Sequence, residues 1–251
     1  MEIRNKYGEK LETLIEGAPL HEAKEILVMV HGFGTNLHEV GIFDDAVEVI
    51  TKKLPDIAVV RFSWAGFGKS EGKEEDLTYF KVEDDIAAVV DFVIAQKQND
   101  ASLVLLGASR GNAPLASYLV KNPQSLKQLI VTKPAAFTSA EEGKKKWSSR
   151  PGFKIDEKGV WVIPRSDGSV TKLSPEYWES IDPVKYKNDL TNVTQDYNSV
   201  LIRDSYDDFV DNREVAELPF KKKYEVIGDH NFSKPAQRAA FLKTLIEVLG
   251  E

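Results

Sequence analysis

Residues 103–111, Leu-Val-Leu-Leu-Gly-Ala-Ser-Arg-Gly, carry an unbroken apolar run straight into a serine with a glycine two positions to either side. Four apolar residues without polar alternation describe a strand buried on both faces. From Ala113 to Val120 apolar residues return at helical spacing. The segment therefore reads as strand, tight turn, helix, with Ser109 on the turn. A serine held there takes strained backbone angles, and side chains at 107 or 111 would collide with it. The turn lifts the hydroxyl clear of the sheet. The following helix points its first amides, Arg110 NH among them, at any negative charge that develops nearby.

The same buried-strand pattern recurs at Ile26–Val30, Ile57–Phe62, Leu129–Thr132 and Ser199–Arg203, and Lys223–Gly228 closes the series. An opening segment around Tyr7-Gly8-Glu9 reads as an antiparallel hairpin. Between the strands, Val40–Leu54, Val82–Ile94 and Arg238–Leu249 are helical; Val82, Ile86, Val89, Val90 and Val93 form one apolar stripe. This alternation predicts an α/β fold with a mostly parallel central sheet and helices on both faces. In such sheets ligands bind at the carboxyl ends of the strands. From 135 to 190 the alternation stops and the composition turns polar, with two short hairpin strands joined near Asp167-Gly168. A segment that long inside a compact domain reads as a functional insertion, a cap over the strand ends. The expected organisation is a core of 1–134 and 191–251 with a cap at 135–190.

Composition narrows the chemistry. Of 251 residues, 42% are hydrophobic and 29% charged, which suits a folded domain and not a disordered chain. Lys plus Arg is 33 and Asp plus Glu is 40, giving a net charge of −7, so phosphate backbones repel the chain and nucleic acid is not an expected partner. With no cysteine there is no disulfide framework, thiolate nucleophile or Cys-ligated zinc. The polar opening residues lack the apolar core of a secretory signal, and no aliphatic run is long enough to span a bilayer. A cytoplasmic location is the expectation, a homodimer is compatible with it, and neither metal nor organic cofactor is called for.

A serine nucleophile needs a base, and the chain has four histidines: His21, His31, His38 and His230. His230 follows the last strand, on the same rim as Ser109. His21 reads as a surface residue, and His38 as a solvated loop histidine that could touch substrate. The orienting carboxylate should lie after Ser199–Arg203, where Asp204, Asp207 and Asp208 stand; Asp207 is the first choice, Asp208 could replace it and Asp204 is the outsider. The chain order is then Ser109, Asp207, His230. His31-Gly32-Phe33-Gly34, directly after Ile26–Val30, lets the backbone approach a developing oxyanion closely. Phe33 NH and Arg110 NH are the natural donors, and His31 reads as a brace for that loop.

These motifs, VHGFG (30–34), FSWAGFGKSEG (62–72), GASRG (107–111), DSYDDFV (204–210) and GDHNF (228–232), resemble those of the α/β-hydrolase family over nearly the whole chain. Within that family the chain is similar to small microbial carboxylesterases, including the feruloyl/cinnamoyl esterase-like group, which carry a cap after the sixth strand. The resemblance implies Ser109 as nucleophile, His230 as general base, Asp207 as its orienting acid, and Phe33 and Arg110 as oxyanion donors. A glycine commonly opens the acid loop in relatives; Asp204 replaces it here. The implied activity is a serine carboxylesterase for small acyl or aryl esters. Thioesterase, lactonase, peptidase and slow-turnover receptor are the alternatives on the same fold. His38, Trp147, Trp161 and Trp178 are the candidate substrate contacts, each tryptophan competing with a place in the cap's own core. The Lys144–Lys146 run reads as a solvated face, with attraction of acidic substrates as the second reading.

Overall fold

The computed structural model of the chain describes residues 2–135, 137, 139–165, 168–207 and 213–251. Strands β1 (Ile3–Arg4) and β2 (Lys10–Leu11) pair antiparallel around the Tyr7-Gly8 turn, with Ile3 opposite Leu11. Next come β3 (Thr13–Gly17), β4 (Glu25–Val30), helix α1 (Ile42–Lys53), β5 (Ile57–Phe62) and α2 (Tyr79–Gln96). They are followed by β6 (Ser102–Ala108), α3 (Asn112–Lys121) and β7 (Gln128–Thr132). A second group holds α4 (Ala140–Ser148), β8 (Lys154–Ile155), β9 (Trp161–Pro164), β10 (Val170–Leu173), α5 (Pro175–Glu179) and α6 (Pro183–Asp196). The chain closes with β11 (Ser199–Asp204), α7 (Arg213–Ala216), β12 (Lys222–Val226) and α8 (Pro235–Leu249).

Seven strands form the central sheet in the order β12-β11-β7-β6-β4-β5-β3. Every pairing in it is parallel except that of β3 with β5. The continuous apolar runs are explained by this arrangement, because successive side chains of a strand leave by opposite faces. Ile26, Val28 and Val30 pack with Val82, Ile86 and Val89 of α2 and with Leu115 of α3. Leu27 and Met29 pack on the other face with Phe43 and Ile50 of α1 and Phe241 and Leu245 of α8. Each fully buried side chain of this size contributes about 1.5–3 kcal/mol through loss of apolar surface to water. The chain steps from β4 outward to β5 on one side and to β6 on the other, so the loops after β4 and β6 part over a crevice. That switch point is where open α/β sheets bind ligands.

The inserted segment between β7 and β11 has its own small sheet, ordered β10-β9-β8 and antiparallel. It has three strands where the residue pattern suggested two. The additional one, β8, turns back through Asp156, whose carboxylate accepts from the amides of Lys158 (2.8 Å) and Val160 (2.9 Å). A side-chain turn of that kind is hard to tell from an ordinary loop. Helix α6 runs from 183 through 190 to 196 and packs against α3 of the core. Among the described residues no helix is long and apolar enough to cross a membrane.

Candidate active site

Val30 of β4 lies opposite Gly107 of β6, which brings the two following loops against each other. Ser109 sits on the turn after β6 at φ 50°. That left-handed conformation costs a non-glycine residue about 1–3 kcal/mol unless its surroundings enforce it. They do: Asn112 Nδ2 donates to Ser109 O (2.9 Å) and to Thr132 O (3.1 Å), tying the turn to the end of β7. The flanking glycines are steric necessities. A Cβ on Gly111 would stand 2.2 Å from His31 O and one on Gly107 2.3 Å from Asn112 Oδ1; across the crevice, one on Gly32 would stand 2.9 Å from Ser109 Cβ.

Ser109 Oγ donates to His230 Nε2 at 2.9 Å. His230 Nδ1 donates to Asp207 Oδ2 at 2.8 Å, while Asp204 Oδ2 stands 4.0 Å from the same nitrogen, beyond hydrogen-bonding range. Asp208 lies outside the described residues. The acid and base loops are stitched together by Ser205 N to Val226 O and Tyr206 N to Gly228 O, both 3.0 Å. The His230 turn is anchored below by Phe232, which stacks on Phe241 at 4.7 Å. Asp204 is buried beneath this group. Burial and the like charge of Asp207 push its carboxyl up to about 7, a shift that Lys133 opposes without cancelling.

Phe33, in the loop after β4, and Arg110, directly after Ser109, line the same cavity as His230. His31 fixes the strand-end turn that carries Phe33. Its Nε2 accepts from Trp64 N at 3.0 Å, its Nδ1 donates to Gly32 O at 2.7 Å, and its ring stacks on Trp64 at 4.3 Å. Burial lowers the His31 pKa to about 4 despite the opposing pull of Glu39, so the ring stays neutral near pH 7. His21 is exposed.

Two residues that the sequence reading passed over join these loops. Glu39 accepts from Gly32 N (2.8 Å), Thr35 Oγ1 (2.6 Å) and Lys133 Nζ (2.7 Å), and both members of this ion pair are buried. Burial alone would raise the Glu39 pKa, but Lys133 and His31 beside it and the hydrogen bonds from Lys133 and Thr35 hold it below the usual carboxylate range. Lys133 follows β7 directly at φ 36°, its amide donating to Ile202 O at 3.1 Å. The clue to Lys133 was available: a charged residue at the carboxyl end of a buried strand is in the position where the other site residues were sought.

A cavity of about 570 Å³ opens above Ser109's partner His230, with Phe33, His38, Glu39, Arg110 and Trp147 also in its wall. His38 and Trp147 thus reach the space expected of substrate contacts; Asp44 holds His38 Nδ1 at 2.7 Å. Trp161 and Trp178 are elsewhere, 4.8 Å from each other and continued by Phe153 and Tyr177 into the aromatic core of the inserted segment. Among the described residues, Asp204, Asp207 and His230 form the one group with the donor types to hold a metal. The 2.8 Å Nδ1–Oδ2 separation is shorter than the ~3.3 Å between two ligands on one tetrahedral zinc, so the arrangement fits a shared proton better than an ion.

A family model described as serine aminopeptidase, S33, matches residues 21–182. The chain belongs to that family of α/β-hydrolases. Over its full length this α/β-hydrolase is similar to the structure of Est1E from Butyrivibrio proteoclasticus with ferulic acid bound, at TM-score 0.72 and 22% identity, covering 100% of both chains. It is 30% identical over 147 residues (58% of this chain, 31% of the relative) to a 1-acylglycerol-3-phosphate O-acyltransferase of Arabidopsis thaliana. It is 28% identical over 122 residues (47% of this chain, 37% of the relative) to the human mitochondrial palmitoyl-protein thioesterase ABHD10. The α/β-hydrolase therefore spans only about a third of the length of these curated relatives. Its fold is that of the α/β-hydrolases, and its family is that of the serine aminopeptidase, S33, model.

Proposed function

We propose that the protein hydrolyses small carboxylic esters through an acyl-enzyme on Ser109. The observation that carries this reading is the unbroken chain from Ser109 Oγ to His230 (2.9 Å) and on to Asp207 (2.8 Å), set at the carboxyl edge of the sheet under a cavity. Ser109 Oγ attacks the ester carbonyl while His230 Nε2 takes its proton, and Asp207 holds the imidazole in the required tautomer and stabilises the imidazolium. The amides of Phe33 and Arg110 receive the oxyanion, with Glu39 fixing the first of these loops through Gly32 N. His230 then protonates the departing alkoxide. In the second half it deprotonates water, which attacks the acyl-enzyme, and the proton returns to Ser109 as the acid leaves. Residues 135–190 serve as the cap over this site, and 1–134 with 191–251 as the core.

A thioester is the second reading, favoured by the likeness to ABHD10. Hydrolysis rates for p-nitrophenyl esters of graded chain length, acyl-CoA thioesters, lactones and peptide p-nitroanilides separate the two. Short and aryl esters should be cleaved fastest, with kcat/KM in the ordinary enzymatic range of roughly 10⁴ M⁻¹ s⁻¹ or above. Turnover confined to thioesters or peptides, or absent throughout, overturns the ester reading.

A further inference from the structure

Resting on the ester-hydrolase reading, we propose that this site takes esters whose acyl or alcohol part carries an anionic group, a carboxylate or phosphate, received by Arg150 at the cavity wall. The chain as a whole is acidic, with 40 carboxylate against 33 basic side chains. Its cavity is the reverse: Arg110, Lys133, Arg150 and Arg165 line it, against the single carboxylate of Glu39. That carboxylate is already neutralised by Lys133 at 2.7 Å. Positive charge concentrated in a concave site against the charge of the whole raises the local concentration of anions.

The arginines differ in what they can offer. Arg110 lies inward, its Nη1 donating to Tyr79 OH at 3.1 Å. Arg165 donates to Gly34 O at 2.8 Å and feels the carboxylate of Glu74. Its task is to pin the inserted segment onto the Phe33 loop, and it adds charge to the wall. Arg150 is the receiving group. Its guanidinium stacks over the indole of Trp147 at 4.3 Å, and Nη1 donates to Pro164 O at 3.2 Å. A guanidinium has five N–H donors in a planar fork that matches a carboxylate or phosphate edge. Stacking on a buried tryptophan fixes the plane in advance, so less freedom is lost when the anion binds. Lys144, Lys145 and Lys146, the other candidates for attracting acidic substrates, are exposed and do not line the cavity.

Binding to the full-length Ser109→Ala protein tests this without relying on turnover. Two matched pairs are titrated calorimetrically at low and high sodium chloride: mono-p-nitrophenyl glutarate against its methyl ester, and monobutyryl glycerol phosphate against monobutyryl glycerol. The charged member of at least one pair should bind roughly 10- to 100-fold more tightly at low salt, the worth of a charge-assisted hydrogen-bonded contact. The preference should shrink at high salt. Adding Arg150→Gln should remove most of it, and Arg150→Lys should restore part. Equal or weaker binding of both charged members overturns the inference, as does a preference that survives Arg150→Gln undiminished. The pair that responds identifies carboxylate or phosphate. If the charged ligand binds as stated but the unmodified protein cleaves no ester, charged or neutral, the ester-hydrolase reading falls and the anion site stands.

Discussion

At the scale of single residues, the site turns on which aspartate meets His230. Asp207 is at 2.8 Å and Asp204 at 4.0 Å, so the two should respond differently to loss of charge. Asp207→Asn should cost about 10³–10⁴ in kcat, because the amide no longer holds the imidazole in its working tautomer. Asp204→Asn should cost far less. A reversed order in p-nitrophenyl ester kinetics would assign the acid to Asp204. The buried Asp204 should show itself instead in stability. Its folded-state pKa of about 7 lies above the unfolded value of about 4, so the folded protein keeps a proton that the unfolded chain releases. Its contribution is fully present below about pH 4 and is lost as pH rises through about 7. Urea midpoints measured across that window should decline more steeply for the unsubstituted protein than for Asp204→Asn. Equal slopes would mean that Asp204 is ionised throughout.

Among the elements, the ends of β4, β6, β7, β11 and β12 carry the whole constellation, and the buried Glu39–Lys133 pair joins two of them. Taking charges out of water is costly, and a single substitution leaves the partner's charge buried without compensation. Glu39→Gln and Lys133→Met should each destabilise the fold by about 3–5 kcal/mol, and the double variant by much less than their sum, read from urea unfolding. Additive losses would show that the two side chains act independently. These strand ends also explain what the residue pattern revealed. Buried parallel strands announce themselves as apolar runs, so Ile26–Val30 and Leu103–Gly107 were legible, and with them the loops that carry Phe33 and Ser109. Strand β8 has two residues, both exposed, and leaves no such trace. Glu39 meets Gly32 within one irregular loop and Lys133 only through tertiary folding, and no helical or strand period encodes either contact. Trp161 and Trp178 could not be told from Trp147, because an aromatic side chain looks the same in sequence whether it faces a cavity or a small core.

For the molecule as a whole, the sheet is the rigid base and the crevice at its switch point is where the chemistry is proposed to happen. The cost of holding Ser109 at φ 50° is met by the packing of both faces of that sheet. The inserted segment contributes Trp147, Arg150 and Arg165 to the cavity, so selectivity should reside there and bond cleavage in the core. The account depends on Ser109 most directly. Steady-state hydrolysis of p-nitrophenyl butyrate by the unsubstituted protein and by Ser109→Ala, with folding of both verified by circular dichroism, is the measurement that tests it. The account predicts a fall in kcat of roughly 10³-fold or more with the fold intact. A folded Ser109→Ala protein that keeps its rate within about tenfold would contradict it.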